Sequence, residues 1–217
     1  MNGITQPAAW FGDRAVLVQV DSTAERESIA SWLTLRMPDA LIRRGMASVL
    51  VETPIPDPHL LATVEQQLSS VDKAATEFVA HEEVFLVVDY DGADLVDTAA
   101  FFDVTATDLI AAHTSQTWQV AMMGFAPGFG YLEPIDDALL PWVTLPRREN
   151  PRAQVPKGSV ALAAGMSAVY PSSSPGGWHL LGTTTTRLFD PHDDANPTLL
   201  RPGLRVHFIA DPDGKPA

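Results

Sequence analysis

The chain changes character near residue 90, and this change restricts its fold more than any other feature of the sequence. Before residue 90, short apolar runs suited to strands alternate with helical patterns. After residue 117, short apolar segments are separated by turns rich in proline and glycine. Because such turns interrupt helices, this second part is typical of a β-barrel or a β-sandwich. We therefore predict an α+β chain, with a small N-terminal α+β domain over residues 1–88 and a β-rich domain over residues 89–217.

The N-terminal part predicts three strands and two helices. Ser22 and Glu25 have the spacing of a capping box and mark the start of the first helix. A second helix is predicted from Asp57 and Pro58, because proline is well tolerated at the first helical position. Its apolar side chains recur every three or four residues, at Leu61, Val64, Leu68, Val71, Ala75 and Phe78. The strands are predicted at residues 14–20, 46–53 and 84–90.

Beyond residue 90, two short helices are predicted before the run of strands begins. They cover residues 92–102 and 105–113, and Thr105 with Asp108 gives the second helix a capping pattern. Five apolar segments then predict strands, at residues 117–123, 158–164, 167–171, 178–189 and 204–210.

The charge balance and the lack of cysteine narrow the classes of function. The 27 acidic residues outnumber the 14 basic ones and give a net charge of −13. This charge repels phosphate groups, so we expect neither nucleic-acid nor membrane-surface binding. The sequence contains no cysteine, which excludes disulfides and thiolate catalysis. We find no signal-peptide pattern and no apolar run long enough to span a membrane, and we expect a cytoplasmic protein.

The stretch GFAPGFGYL, residues 124–132, combines three glycines with three aromatic side chains. A phosphate-binding loop, an ordinary glycine turn and a ligand-binding rim are the alternatives for this composition. The stretch lacks the Gly-Lys-Ser/Thr ending of a P-loop, and no helical pattern follows it. The grouping of Phe125, Phe129 and Tyr131 therefore favours an aromatic rim beside a ligand.

Other polar residues give weaker indications of chemistry. The serines within residues 170–182 lack a Gly-x-Ser-x-Gly elbow, so a serine-rich turn is the favoured interpretation. The six histidines show no metal-binding spacing, and we expect no metal site. His113 ends a predicted helix, where it interacts with the helix dipole or acts as a general acid or base. Four cations share one loop, at Arg147, Arg148, Arg152 and Lys157. A solvated loop and an anion-binding site suit this cluster equally well.

Three motifs, taken together, resemble a known family. They are GFxPGFxYL at residues 124–132, PRxxVPxGSV at residues 151–160 and SPGGW at residues 174–178. Their order and spacing, with similar segments through nearly the whole chain, resemble allophanate hydrolase subunit 1, also called the B subunit of 5-oxoprolinase. This family is equivalent to the C–D part of the carboxyltransferase region of urea carboxylase. It also contains an inhibitor of a sporulation histidine kinase.

The resemblance implies that a cyclophilin-like β-barrel follows the N-terminal domain, and that the chain works beside a second cyclophilin-like subunit. Its implied activity is the opening of 5-oxoproline to L-glutamate, with ATP as co-substrate bound by this chain or by a partner. The implied partners are allophanate hydrolase subunit 2, equivalent to the C subunit of 5-oxoprolinase, and the A subunit as a third component. His113 and Tyr170 are the expected catalytic residues, and Arg147 or Arg152 would hold the substrate carboxylate. The expected substrate-binding residues are Phe125, Gly128, Phe129, Arg147, Arg152, Lys157, Gly176, Gly177 and Trp178.

Four positions depart from the family pattern, as does the stretch GTTT at residues 182–185, where Gly-Arg-Thr-Pro is common. A Gly-Gly-Gln-Thr-Gly stretch is common in the family where this chain has Met166 and Ser167. A glutamate is common at the position of Ser173, and an arginine at the position of His179. These changes alter the expected polar pocket. They leave two alternatives open: a non-catalytic histidine kinase inhibitor, and a component of an enzyme that hydrolyses allophanate, a urea-type compound or another amide.

Overall fold

The computed structural model describes residues 8–70, 82–135 and 138–212, and the chain divides into two compact units between Ala80 and His81. In its described part, the first unit has a four-stranded antiparallel sheet and two helices. The strands are β1 (Ala8–Trp10), β2 (Ala15–Gln19), β3 (Leu41–Arg44) and β4 (Ser48–Glu52), and the helices are α1 (Thr23–Arg36) and α2 (Leu60–Ser69). The strand order is β1-β2-β4-β3. Alternate valines of β2 and β4 face the helices and form the core, because successive side chains of a strand point to opposite faces.

The start of α1 agrees with the sequence prediction. The Ser22 hydroxyl accepts a hydrogen bond from the backbone N–H of Glu25 at 3.2 Å. The Glu25 carboxylate in turn accepts from the backbone N–H of Asp21 at 2.9 Å, one residue before the position expected for a capping box.

The start of α2 was predicted two residues too early. The helix begins at Leu60, and Pro58 precedes it. The Asp57 carboxylate accepts a hydrogen bond from the backbone N–H of His59 at 2.9 Å. This local turn occupies the residues expected to form the first helical turn. The predicted face beyond Ser69, at Val71, Ala75 and Phe78, lies outside the described residues.

The second unit is built around a seven-stranded sheet. Its described helices are α3 (Leu95–Phe101) and α4 (Ala106–Ser115), and its strands are β5 (Glu83–Val88), β6 (Trp118–Met123), β7 (Gly130–Pro134), β8 (Arg152–Val155), β9 (Ser159–Ala163), β10 (Met166–Val169), β11 (Ser174–Gly176), β12 (His179–Thr183) and β13 (Arg205–Ala210). The order is β12-β9-β10-β7-β6-β13-β5, and β8 and β11 form a separate two-stranded ribbon. Backbone hydrogen bonds between Asp89 and Thr183, of 2.9 and 2.7 Å, nearly close the sheet into a barrel. The α+β class and the barrel are thus confirmed.

Strand β5 belongs to the barrel, although the sequence analysis assigned it to the N-terminal domain. It pairs in parallel with β13 over Glu83–Val88. The amino-acid pattern of a buried strand identifies the strand but not its neighbour, and β13 lies more than a hundred residues later in the chain. The expected boundary at residue 88 therefore differs from the division at residues 80 and 81.

Strands β9 and β10 are buried on both faces, and one of these faces supports the candidate site. Val160 and Leu162 point into the main core of the second unit. Ala161 and Ala163 point to the other face, where they belong to a second cluster with the rings of Phe129, Tyr170 and Trp178. Because the alanines are small, large aromatic side chains pack directly against the sheet there. The candidate site lies on this second cluster.

Candidate functional site

A pocket of about 90 Å³ opens at the aromatic cluster. The described residues that line it are Phe125, Phe129, Tyr131, Arg147, Tyr170, Pro175, Gly176, Gly177 and Trp178. All except Tyr131 and Pro175 belong to the set expected from the sequence resemblance. The structure thus brings together the motif at residues 124–132, the arginine loop and the SPGGW segment.

Phe129 lies at the centre of an aromatic wall, which is formed by the rings of Phe125, Phe129, Tyr131, Tyr170 and Trp178. Its ring centroid lies 5.0 Å from that of Tyr131, 5.1 Å from that of Phe125, 5.4 Å from that of Tyr170 and 6.1 Å from that of Trp178. The ring planes meet edge to face, at angles between 63° and 84°. Edge-to-face packing is the favoured geometry for aromatic pairs. The wall is therefore a preformed surface rather than a loose group of side chains.

Phe125 forms the exposed rim of this wall in a strained backbone conformation. Its φ is +68°, and the N–H of Ala126 donates to the carbonyl of Gly124 at 2.8 Å. A hydrogen bond from residue i+2 back to residue i across a positive φ is the rare, strained form of the γ-turn. Such strain costs about 1–3 kcal/mol and is concentrated at functional sites. With 61% of its surface exposed, the Phe125 side chain does not recover that cost by burial.

Two glycines are required by close packing around the wall. A Cβ on Gly176 would lie 2.2 Å from the hydroxyl oxygen of Tyr170, so only glycine lets β11 approach this tyrosine. Gly128 has φ +80°, and a Cβ there would lie 2.7 Å from the Cβ of Phe189. Gly128 thus shapes the loop without lining the pocket.

Arg147 is the charged residue among the described residues that line the pocket. Its guanidinium carbon lies 5.9 Å from the ring centroid of Trp178, within the range of a cation–π contact. The backbone on both sides of Arg147 is fixed. The N–H of Arg148 donates to the carbonyl of Gly177 at 2.7 Å, and Nε2 of His179 lies 3.0 Å from the carbonyl oxygen of Pro146.

Arg148 and Arg152, in contrast, bind a carboxylate of the chain itself. Arg152 donates from both terminal nitrogens to Asp94, each at 2.8 Å, and Arg148 donates to the same carboxylate at 2.5 Å. The backbone N–H of Leu180 donates to Asp94 at 2.7 Å. Asp94 is only 2% exposed. It therefore fastens the arginine loop and the β8–β11 ribbon to β12.

The charge state of Asp94 follows from two opposing effects. Burial of its carboxyl by itself raises the pKa, but the hydrogen bonds from Arg152 and Leu180 and the two guanidinium charges outweigh burial. The pKa of Asp94 consequently lies below its usual value, and the carboxyl is ionised at neutral pH. Arg152 is therefore neutralised by a partner within the chain.

His113 lies in the main core, away from the pocket-lining residues. It is fully buried, with Nδ1 2.7 Å from the hydroxyl of Tyr90 and Nε2 3.0 Å from that of Ser167. The Ser167 hydroxyl donates to the carbonyl of Ala161 at 3.3 Å, so it accepts from Nε2–H, and Nδ1 accepts from Tyr90. Burial lowers the pKa of His113 to about 3 and raises that of Tyr90. The imidazole is therefore a neutral, fully bonded part of the core.

Tyr170 reaches the pocket as a protonated phenol. Burial raises its pKa, and the nearby charge of Arg147 offsets this effect only in part. At neutral pH its hydroxyl keeps its proton and can donate a hydrogen bond, but it is not a base.

The other predicted residues lie outside the pocket lining. Lys157 is exposed after β8, and Met166 is buried in the aromatic cluster. Ser173 accepts a hydrogen bond from the side-chain amide of Gln154 at 3.0 Å. Among the departures from the family pattern, Ser167 keeps a hydroxyl that bonds His113, and His179 contacts the loop of Arg147.

Sequence reasoning missed Asp94, which holds the arginine loop. Its position just before α3 is that of an ordinary N-cap, yet its side chain makes no capping bond. The sequence feature that indicates this role is an aspartate just before a helix, followed 54–58 residues later by clustered arginines.

Residues 8–70, 82–135 and 138–212 contain neither a candidate metal site nor a candidate membrane-spanning helix. No group of three or more histidine, aspartate or glutamate side chains there could hold a metal ion. None of the helices in these ranges is long and apolar enough to cross a bilayer.

Comparison with known proteins gives a family match over most of the chain. Residues 7–200 match the family model of the carboxyltransferase domain, subdomain C and D. The 5-oxoprolinase B subunit of Haemophilus influenzae is 42% identical over 120 residues, which are 55% of this chain and 54% of that protein. The 5-oxoprolinase B subunit of Bacillus subtilis is 40% identical over 118 residues, 54% of this chain and 47% of that protein. This chain thus matches about half the length of these curated relatives.

Solved structures support the same fold. The crystal structure of TTHA0988 superposes with a TM-score of 0.73 and 31% identity, over 94% of this chain and 41% of that one. The urea amidolyase of Kluyveromyces lactis superposes with a TM-score of 0.69 over 94% of this chain and 15% of that one. Its 18% identity shows a shared fold only.

Proposed function

This chain belongs to the carboxyltransferase domain family, subdomain C and D, and we propose that it acts as the B subunit of an ATP-dependent 5-oxoprolinase. In this proposal a cytoplasmic complex opens the lactam ring of 5-oxoproline and releases L-glutamate. The companions are a second cyclophilin-like subunit, equivalent to allophanate hydrolase subunit 2 or the C subunit of 5-oxoprolinase, and the A subunit. The relatives named as 5-oxoprolinase B subunits, at 40–42% identity, support this choice of substrate.

The observation that carries the proposal is the position of the Arg147 guanidinium beside the aromatic wall. Arg147 has no acidic partner among the described residues. Arg147 suits a carboxylate, and the faces of Phe125 and Trp178 suit a small flat ring. 5-Oxoproline combines these two features. The pocket holds about 90 Å³, whereas sites that enclose a small molecule usually measure about 300–1,000 Å³. We therefore propose that this chain supplies one wall of a cleft and that a companion subunit supplies the other.

The residues at the pocket are suited to binding and orientation. Arg147 would hold the carboxylate, and the protonated hydroxyl of Tyr170 would donate a hydrogen bond to an oxygen of the substrate. His113 is a neutral core residue, so we do not give it the proton transfer expected from the sequence. A base for the attacking water would come from a companion subunit.

ATP is placed on a companion subunit in the same proposal. A nucleoside triphosphate needs several donors for its phosphates, whereas Arg147 is the one cation among the described residues that line the pocket. When bound, ATP would supply the phosphoryl group that activates the unreactive lactam carbonyl.

We expect ATP-dependent release of glutamate from 5-oxoproline only when this chain is mixed with its companion subunits. The chain alone should give the background rate, because its pocket offers binding groups and only half of a cleft. The assay measures glutamate with and without ATP, and with each subunit omitted in turn. A stable complex that releases no glutamate would contradict 5-oxoproline as the substrate and would favour a regulatory role or another amide.

A further inference from the structure

We infer that Arg147 determines the ligand specificity of the pocket, which selects a small monoanion: one carboxylate on a flat, otherwise uncharged ring. The identity of the natural ligand, 5-oxoproline, rests on the proposed function. The selection rule rests on the geometry and charge of the pocket itself.

The three arginines of the loop differ in their partners. Asp94 holds Arg148 and Arg152 through hydrogen bonds of 2.5 to 2.8 Å. A carboxylate arriving from solvent would meet two guanidinium groups whose charge a buried, ionised carboxylate already neutralises in part. Arg147 has no acidic partner among the described residues, and it lines the pocket. It is therefore the guanidinium available to a ligand.

Arg147 is held in place before a ligand arrives. Arg148 is tied to the SPGGW segment by its bond to Gly177, and Pro146 is tied to the start of β12 by its contact with His179. Its guanidinium lies over Trp178 at 5.9 Å. Because the loop is already fixed, a ligand carboxylate loses less free energy to ordering of the protein when it binds. His179, which departs from the family pattern, is a positioning residue in this arrangement.

The rest of the described pocket lining carries no charge. The described residues beside Arg147 are aromatic rings, one proline and two glycines, with no carboxylate among them. Aromatic faces attract an ammonium group, but Arg147 already lies over Trp178, no anionic partner is present among these residues, and the charge of Arg147 would repel the ammonium group. A neutral lactam would leave Arg147 without its anion. Both groups of compounds should therefore bind less well than a monoanion with a neutral ring.

This rule also separates substrate from product. 5-Oxoproline carries one carboxylate on a neutral lactam. Opening the ring produces glutamate, which gains an ammonium group and a second carboxylate. The ammonium group has no anionic partner among the described lining residues, and Arg147 is the one cation there for two carboxylates, so the product should leave the pocket readily.

The test compares three five-membered rings: one differs from 5-oxoproline in the carboxylate, and the other differs in the lactam carbonyl and in the charge on the ring nitrogen. 5-Oxoproline is the monoanion, 2-pyrrolidone is the same lactam without the carboxylate, and proline has the carboxylate with an ammonium group in the ring. Binding to the full chain is followed by the NMR signals of the tryptophan indole N–H groups at millimolar ligand concentrations. Because the chain has five tryptophans, the Trp178→Phe variant identifies the signal that reports on the pocket.

We expect 5-oxoproline to bind at least about tenfold more tightly than 2-pyrrolidone or proline. A difference of this size is the usual effect of losing one hydrogen bond to a charged group. Arg147→Ala should remove this preference, and Arg147→Lys should keep part of it, because lysine retains the charge but not the planar fork. Arg187→Ala is the matched control, since Arg187 is exposed and paired with Asp190.

Equal binding of the three compounds, an unchanged preference in Arg147→Ala, or no response to 5-oxoproline would each overturn the inference. Failure of the proposed function looks different. In that case the complex releases no glutamate, while the preference for a monoanion at Trp178 and its dependence on Arg147 persist.

Discussion

Replacing Asp94 with alanine is expected to lower the free energy of unfolding by about 3 kcal/mol, the lower end of the range for breaking a buried ion pair. The change leaves Arg148 and Arg152 without their shared anion and the N–H of Leu180 without its acceptor. The loss falls at the lower end because the arginine side chains keep 31% and 24% of their surface exposed to water. Urea-induced unfolding at pH 7 measures the change.

Asp97→Ala is the matched control for this prediction. Asp97 lies in the first turn of α3, three residues after Asp94, and its side chain is exposed. Exposed substitutions of this kind usually change stability by about 0.5 kcal/mol or less. If Asp94→Ala were no more destabilising than Asp97→Ala, Asp94 would not be the anchor of the arginine loop.

His113 is expected to make the protein progressively less stable in mild acid. Burial lowers its pKa in the folded protein to about 3, against an ordinary value of 6.5. Between these values the unfolded chain binds a proton that the folded protein does not. The contribution of His113 is therefore fully present above pH 6.5 and is lost as the pH falls towards 3, by about 1.4 kcal/mol for each pH unit. At pH 5 the loss should be about 2 kcal/mol relative to pH 8.

The variant His113→Gln isolates this effect. Glutamine has one acceptor and one donor for Tyr90 and Ser167, but it does not titrate. The free energy of unfolding is measured by urea at pH 8 and pH 5 for both proteins. Wild type should lose about 2 kcal/mol more than the variant between these pH values. Equal losses would show that the pKa of His113 is not lowered in the folded protein and would contradict its assignment as a neutral core residue.

Much of the fold could be read from local patterns. The cap of α1 at Ser22 and the capping box of α4 at Thr105 and Asp108 are both present in the structure. The prolines and glycines after residue 117 separate strands, as expected. These signals involve residues within four positions of each other, so they do not depend on the tertiary fold.

The start of α2 was missed because of a local turn, but the other failures of sequence reasoning share one cause: each depends on a partner distant in the chain. Strand β5 has the pattern of any buried strand, and only its pairing with β13 places it in the barrel. Arg147 and Arg152 are equivalent by composition, and only Asp94, more than fifty residues earlier, separates a paired arginine from an available one. Likewise, the spacing around His113 gives no indication that Tyr90 and Ser167 enclose it.

The central claim is that Arg147 holds the substrate carboxylate in a working 5-oxoprolinase complex. The most direct measurement is the dependence of ATP-driven glutamate release on 5-oxoproline concentration, for complexes built with wild type, Arg147→Ala and Arg187→Ala. Because the carboxylate is not the reacting group, we predict that Arg147→Ala raises KM about tenfold or more with a much smaller change in kcat. The Arg187→Ala complex should match wild type. A wild-type KM in the Arg147→Ala complex would contradict the account.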